Sequence, residues 1–470
     1  MPVQFNLNGV LCVEDGLPPT TSVLDYLRQH KGKTGTKEGC AEGDCGACTI
    51  VLAREDESGT AIYEAVNSCL LMLPQLDGAN VVTVEGIADA DTLDPVQAAM
   101  VETDGTQCGF CTPGFIMALY ALRQGGEKPT DEVIHEALAG NLCRCTGYTP
   151  IVAAAKKACG NAPPDVVGAH ATLVPSSSYA TENQRFHAPN SLEDLAALRA
   201  AHPSAHLLAG GTDLGILTSK ERQPLPEIIS TVHIEELLQI TETDDYLELG
   251  AAVTYTRALP YIKRLYPSLA TLITRIGSRQ IRNVGTFGGN IGTASPIGDT
   301  SPCLIALDAT VILHSLSGER SVPLEDFFIG YRETCLGSSE FIKAIHIPKL
   351  PSGQAFRAYK ISKRYDQDIS SVIGAYRVGI LDNKVASIRV AFGGMAATPK
   401  RASASEAALA GKAWTEETVL AVATAVAEDF TPLSDHRASQ AYRLRVAENL
   451  FVRLYRDLSE FEDLTDVVAA

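Results

Sequence analysis

Three features of this 470-residue sequence predict a multidomain α+β protein. Apolar and polar residues alternate at the start, take helical spacing from Pro95 to about Ala158, and return to mixed strand and helix signals after about Glu182. Ten of the twelve cysteines fall within the first 159 residues, so the cysteine chemistry is confined to one end. The stretch "GNAPPDVVGAHATLVPSSSYATE", rich in Pro, Ser and Ala, divides that end from the remainder as a linker would.

The opening "VQFNLNGVLCVED" alternates around an Asn-Gly turn signal and reads as a hairpin. "TSVLDYLRQHKG" follows as a short amphipathic helix, with a Thr/Ser start, Leu24 and Leu27 on one face and a closing glycine. A loop of glycines and cysteines and a strand, "CTIVLA", complete a small ferredoxin-like barrel pattern. The runs "PVQAAMVET", "GFIMALYALRQ", "DEVIHEALAG" and "IVAAAKKA" form a second, all-helical unit. After the linker, "FHAPNSLEDLAALRAAHPSAHLLAGGTDLG" reads as helix, strand and Gly-Gly turn, and strand and helix signals continue to about Lys349. From about Phe356 the last unit has strands, "VASIRVAFGGM", then helices, "SEAALAG", "EETVLAVATAVAEDF" and "RVAENLFVRLYRDL".

Composition bounds the function. With 45% hydrophobic residues the chain can bury several cores. Its net charge of −17 and the absence of a Lys/Arg stripe argue against nucleic acid. The first residues lack the basic flank and apolar core of a secretory signal, and nowhere do eighteen apolar residues run together. The expectation is a soluble, cytoplasmic protein without a membrane partner, in which twelve thiols serve metal binding sooner than lasting disulfides.

Cys40, Cys45 and Cys48, with Cys69 following, have the C-x4-C-x2-C spacing of a plant-type 2Fe-2S site. Glycines around them suit a loop that wraps an inorganic core with its amides close to the sulfides. Zinc would more often use two C-x2-C pairs or add histidine, and no histidine lies between the first and fourth of these residues. Cys108, Cys111, Cys143 and Cys145 form a second set, which by spacing alone could hold zinc or iron. Cys12, Cys159, Cys303 and Cys335 have no partners at ligand spacing and read as small buried hydrophobes.

The segments "TGTKEGCAEGDCGACT", "QCGFCTPGF" and "NLCRCTGY", in this order, resemble the paired 2Fe-2S domains of the molybdenum hydroxylase family, which includes xanthine dehydrogenase, aldehyde oxidase and carbon monoxide dehydrogenase. That resemblance implies a cluster at the second site also. "HLLAGGTDLG" and "RQIRNVGTFGGNIGTASPIGD" resemble the family's flavin domain, whose fold is shared with vanillyl-alcohol-oxidase-like flavoproteins. It implies that Leu207, Leu208, Ala209, Gly210, Gly211, Thr212, Asp213 and Leu214 line the FAD diphosphate. Thr286, Gly289, Asn290, Thr293, Ser295 and Asp299 would complete it, with Ile342 and Lys360 as later flavin contacts and Tyr331 beside the nicotinamide. Read as residues alone, Ile342 is a strand position and Tyr331 a half-buried aromatic. Ile276 departs from the pattern, standing where the mammalian xanthine enzymes carry an aromatic near the flavin ring.

The domains expected from pattern and resemblance together are a ferredoxin-like β-grasp 2Fe-2S domain at 1–82 and an all-α 2Fe-2S domain at 83–160. A linker at 161–181, a vanillyl-alcohol-oxidase-like FAD-binding domain at 182–353 and a C-terminal α+β domain at 354–470 follow. The order cluster, cluster, flavin, with "SKRYDQDIS" and "DFTPLSDHRAS", resembles the iron-sulfur/FAD small subunit of bacterial xanthine dehydrogenase. The resemblance implies a molybdopterin-binding large subunit as partner, in a heterotetramer with two of each, oxidising hypoxanthine and xanthine to urate. Electrons would pass through the helical cluster, the ferredoxin-like cluster and FAD to NAD+. No catalytic residue for the purine is expected here, though Gln107 and Cys145 would lie nearest the pterin and a wide apolar surface would meet the partner. Aldehyde- or carbon-monoxide-type subunits, a free-standing iron-sulfur flavoprotein reductase and a zinc-stabilised binding module are the rival readings.

Overall fold

The computed structural model describes residues 2–55, 60–88, 91–160 and 178–459. They divide into two compact units. The first comprises Met1–Glu236 with Thr254–Arg257 and Ile276–Thr286; the second comprises Leu237–Val253, Ala258–Arg275 and Phe287–Ala470.

The first unit opens with the expected hairpin, β1 (Val3–Leu7) and β2 (Val10–Glu14). Asn8 and Gly9 both take positive φ, 51° and 80°, the two-residue turn whose twist suits flanking strands. Val3, Phe5 and Leu7 point to one side and are buried, as period-two geometry requires. The amphipathic segment begins as α1 (Val23–Asp25), capped by the Ser22 hydroxyl, which accepts from the Asp25 amide at 3.0 Å. It continues through Tyr26–His30 with π-helical hydrogen bonding, one residue wider than an α-turn. With β3 (Thr49–Glu55), β4 (Ala61–Asn67) and β5 (Asn80–Val82) the hairpin forms one sheet of order β2-β1-β5-β3-β4. β1 and β5 run parallel at its centre while the remaining pairs are antiparallel, the arrangement of a β-grasp.

Four helices follow, α2 (Pro95–Glu102), α3 (Thr112–Gln124), α4 (Asp131–Leu138) and α5 (Thr149–Cys159), close to the four helical runs of the sequence. Proline at the first turn of α2, with Asp94 and Gln97 closing a reciprocal cap, fixes its start. α3 is buried from Gly114 to Arg123, and Phe115 and Leu119 pack with Ile134 and Ile151 of its neighbours.

Residues 161–177 of the expected linker lie outside the described residues; its last four begin with β6 (Ser178–Ala180). β6 pairs with β7 (Arg185–His187), a strand too short to have shown in the sequence pattern. α6 (Leu192–Ala201) leads to β8 (His206–Leu208), and with β9 (Glu227–Ser230) the sheet order is β6-β7-β9-β8.

The second unit holds a sheet of order β10-β11-β16-β12-β13, built from β10 (Ile240–Glu242), β11 (Tyr246–Gly250), β12 (Thr310–Ser315), β13 (Gly318–Pro323) and β16 (Phe341–Pro348). Between β13 and β16 a small ribbon of β14 (Phe328–Gly330) and β15 (Glu333–Thr334) forms. A further sheet follows in sequence order: β17 (Gln354–Ile361), β18 (Val372–Leu381), β19 (Lys384–Gly393) and β20 (Lys400–Arg401). The helix Gln440–Leu458 packs on it, and Tyr376 meets Phe451 edge-on with centroids 5.2 Å apart. Both rings are fully buried, each contributing roughly 2–3 kcal/mol of hydrophobic free energy.

Candidate metal and cofactor centres

The loop from Gly39 to Ala47 turns tightly, with Ala41, Gly43 and Gly46 at positive φ. These turns aim amides at sulfur: Glu42 and Cys45 N–H each reach the Cys40 sulfur at 3.4 Å. Cys48 and Cys69, both buried, face each other with sulfurs 3.4 Å apart. The Cys45 thiol, donating to Cys40, lowers the Cys40 pKa to about 5 against the opposing effect of burial, and backbone amides add to it. Cys45 is pushed up in return. Cys69 holds Cys48 below, and is itself held well above, the usual thiol range. In each pair one sulfur is favoured as the thiolate over its partner, and the thiolate is the form that binds a metal.

The second set is also paired. Burial, then the hydrogen bond with Cys143, pushes Cys111 up to about 12. Burial raises Cys143 too, but the Thr146 hydroxyl 3.2 Å from its sulfur, with the Thr146 amide, outweighs it and the net shift is downward. Cys145, exposed, is raised by its hydrogen bond with Cys108.

This pairing bears on which metal fits. A tetrahedral zinc with Zn–S of about 2.3 Å sets all six sulfur–sulfur distances near 3.8 Å. Among the described residues no three of these sulfurs come within 4.8 Å of one another. Cys40/Cys45, Cys48/Cys69, Cys111/Cys143 and Cys108/Cys145 are pairs, each suited to one iron and two pairs to a binuclear cluster, not foursomes suited to one zinc.

The two loops abut. The Leu142 amide, next to Cys143, donates to the Cys45 carbonyl at 3.0 Å. Asn141 Nδ2 donates to the Gly46 carbonyl at 3.0 Å, and Gln280 Nε2 donates to Asn141 Oδ1 at 2.9 Å. A Cβ on Gly46, whose φ is +68°, would lie 2.2 Å from the Gly140 carbonyl oxygen. Sequence reading missed Asn141, Leu142 and Gln280; the two that directly precede Cys143 were the available signal. Cys108 and Cys145 are exposed together with Gln107, and Phe110, Leu142 and Tyr148 are exposed apolar neighbours in sequence.

Of the flavin positions in the first unit, Leu207 and Leu208 end β8, and Ala209 to Asp213 form the turn into the helix Leu214–Ser219. Gly210 meets the backbone of Val284 so closely that a Cβ would stand 1.8 Å from its carbonyl oxygen. Thr286 is buried. In the second unit Gly289, Asn290 and Thr293 lie on the helix Phe287–Thr293, where Gly289 and Gly292 present bare backbone to solvent. Asn290 Oδ1 accepts from Thr300 at 2.6 Å, and Ser295 is half-buried. Asp299 is committed on both oxygens, to Lys360 Nζ at 2.5 Å and to the Ser370 hydroxyl at 2.7 Å. Ser370 is a partner the sequence did not suggest. Ile342, buried in β16, sits opposite Leu313 at the bulge between β12 and β16. Ile276 is half-buried, and Tyr331 is 64% exposed, beyond the half-buried aromatic the sequence suggested. Exposed backbone and small polar groups in these stretches suit a polar, phosphate-bearing cofactor. Cys12, Cys159 and Cys303 are buried as expected, whereas Cys335 is half-buried.

Four family models match in chain order. They are the 2Fe-2S iron-sulfur cluster binding domain at 5–73, the 2Fe-2S binding domain at 83–156, the FAD binding domain in molybdopterin dehydrogenase at 180–350 and the CO dehydrogenase flavoprotein C-terminal domain at 357–458. Xanthine dehydrogenase of Emericella nidulans is 33% identical over 542 aligned residues, covering 100% of this chain and 40% of that protein. The chain belongs to the molybdenum hydroxylase family. It carries that family's two 2Fe-2S-binding domains and its FAD-binding domain in one polypeptide. Xanthine dehydrogenase/oxidase of Gallus gallus is 31% identical over 88% of the chain and 36% of its own length. The chain thus spans about two fifths of the curated family members it matches. Among solved structures, carbon monoxide dehydrogenase from Hydrogenophaga pseudoflava matches with TM-score 0.55 and 31% identity, over 57% of this chain and 94% of that one. Quinoline 2-oxidoreductase from Pseudomonas putida 86 matches at TM-score 0.54 and 26% identity, over 58% and 95%. No helix among the described residues is long and apolar enough to cross a membrane.

Proposed function

We propose that the chain is the electron-transfer subunit of a xanthine dehydrogenase. It would take electrons from a molybdenum centre on a large subunit, which oxidises hypoxanthine and xanthine to urate, and pass them by way of two 2Fe-2S clusters and FAD to NAD+. The observation that carries this reading is the pair of abutting cysteine loops, each with its sulfurs in twos. Cys40, Cys45, Cys48 and Cys69 hold one cluster, and Cys108, Cys111, Cys143 and Cys145 the other.

Within the chain, the hydrogen bond from Leu142 to the Cys45 carbonyl gives a short covalent and hydrogen-bonded route from Cys143 to Cys45. Exposed Cys108 and Cys145, with Gln107, face the partner, because a relay begins where its first centre is reached. Leu207 to Leu214, Thr286, Gly289, Asn290, Thr293, Ser295, Asp299, Ile342 and Lys360 hold FAD; Asp299 fixes the Lys360 ammonium in place. Exposed Tyr331 meets the nicotinamide. Two copies of each subunit form a cytoplasmic heterotetramer. The purine's acids and bases lie on the partner.

A carbon-monoxide-type subunit is the second reading, favoured by the solved-structure match, but that likeness covers little more than half of the chain. Reconstitution separates them. The chain alone is expected to reduce its flavin with NADH yet leave xanthine untouched, and xanthine turnover with NAD+ is expected on adding a molybdopterin-containing large subunit. Turnover of carbon monoxide or aldehydes by that complex would overturn the substrate, and xanthine oxidation by the chain alone would overturn the division of labour.

A further inference from the structure

Among the described residues, one cluster of ligating side chains away from the eight cysteines remains without a role. His187 ends β7, Glu227 begins β9, and His202 follows the last residue of α6. β7 and β9 run parallel with Arg185 opposite Glu227, so His187, two residues on from Arg185, shares a face with Glu227. The result is convergence on a single oxygen: His187 Nε2 lies 3.2 Å and His202 Nδ1 3.0 Å from Glu227 Oε1, all three atoms within 4.8 Å of one another.

We infer that His187, His202 and Glu227 form a binding site for a zinc-like divalent cation. Geometry is the first reason. In a tetrahedral site with metal–ligand bonds of about 2.0–2.1 Å, donor atoms stand about 3.3 Å apart. Two of the three separations are already within a few tenths of an ångström of that value. Ring orientation is the second. The imidazole rings stack, centroids 5.1 Å apart and planes 29° from parallel. Held this way, both rings already bring a ring nitrogen to the same carboxylate oxygen, so neither has to turn to face a common ion. Access is the third. The side chains keep 14%, 27% and 20% of their surface, enough for an ion to enter and for water to fill a fourth position.

Two imidazoles and one carboxylate select for Zn2+, Co2+ or Ni2+ over Mg2+ or Ca2+, which prefer all-oxygen shells. On binding, each imidazole would carry its ring proton on the nitrogen turned away from the ion, and the Glu227 carboxylate would face the ion in place of the ring N–H groups, with no change of oxidation state. Its effect would be to clip β7, the end of α6 and the start of β9 together, joining residues 40 positions apart. A cation that binds only the folded state raises its stability by mass action.

The test uses the full chain with iron and flavin in place, dialysed against a mild chelator and then against Zn2+. One zinc per chain beyond the iron is expected, with a rise in melting temperature on zinc addition. X-ray absorption at the zinc edge should show nitrogen and oxygen near 2.0–2.1 Å and no sulfur near 2.3 Å. His202→Gln and Glu227→Gln should each weaken zinc binding at least tenfold and abolish the melting response, with iron and flavin contents unchanged. Should Glu227→Gln fail to fold, His202→Gln decides. A sulfur shell, equal uptake by variant and native chains, or no uptake at all would overturn the site.

Discussion

Cys45 donates its thiol proton toward Cys40 while its carbonyl accepts from the Leu142 amide beside the other cysteine loop. Replacing it with serine should remove one cluster's iron, about two of four atoms per chain, and leave flavin absorbance intact. Loss of all four irons would mean that the loops assemble as one unit. Gly46→Ala is expected to do more, because an L side chain at φ +68° costs about 1–2 kcal/mol and its Cβ would press on the Gly140 backbone at 2.2 Å. Iron analysis should find both sites depleted. At this scale the sequence was legible where ligands sit close together, as in C-x4-C-x2-C, and opaque where a contact joins distant positions. Asn141 and Gln280 are 139 residues apart, and neither residue type announces a buried amide pair.

Helices and strands were legible in proportion to their periodicity. The four helices between Pro95 and Cys159 and the Asn-Gly hairpin came through because caps, prolines and alternation agree there. β7 did not, since three residues cannot show a period, and the widened turn at Tyr26–His30 did not, since α and π spacing share the same apolar face over one turn. One element carries a prediction of its own. Asp94 caps α2 and lies 3.8 Å from Arg123 on α3, both buried, and burial raises the Asp94 pKa despite the nearby guanidinium. Asp94→Asn keeps a capping oxygen but strands the Arg123 charge, an effect of about 3 kcal/mol. Denaturant unfolding should show the loss, and an unchanged midpoint would mean that the pair contributes nothing across so long a separation.

On the scale of the molecule, the sequence motifs implied a relay, and Cys108 and Cys145, which the proposed function makes its entrance, are exposed. Buried apolar side chains need no explanation, but Phe110, Leu142 and Tyr148, at 48%, 47% and 38% exposure within a few residues of these thiols, are unusual company for a redox centre in water. Under the proposed function they are covered by the large subunit, which also excludes solvent from the electron's path. Phe110→Asp and Leu142→Asp should therefore weaken association with the large subunit by about tenfold or more, the loss of one or two kcal/mol expected for charging a buried contact. Xanthine turnover with NAD+ should fall in step at limiting subunit concentration and recover when the large subunit is in excess. Reduction of the flavin by NADH, which needs none of that surface, should keep its native rate. If both reactions slowed together the substitutions would have damaged the chain itself, and if neither changed, the large subunit would dock elsewhere and the exposed thiols would not be the relay's entrance.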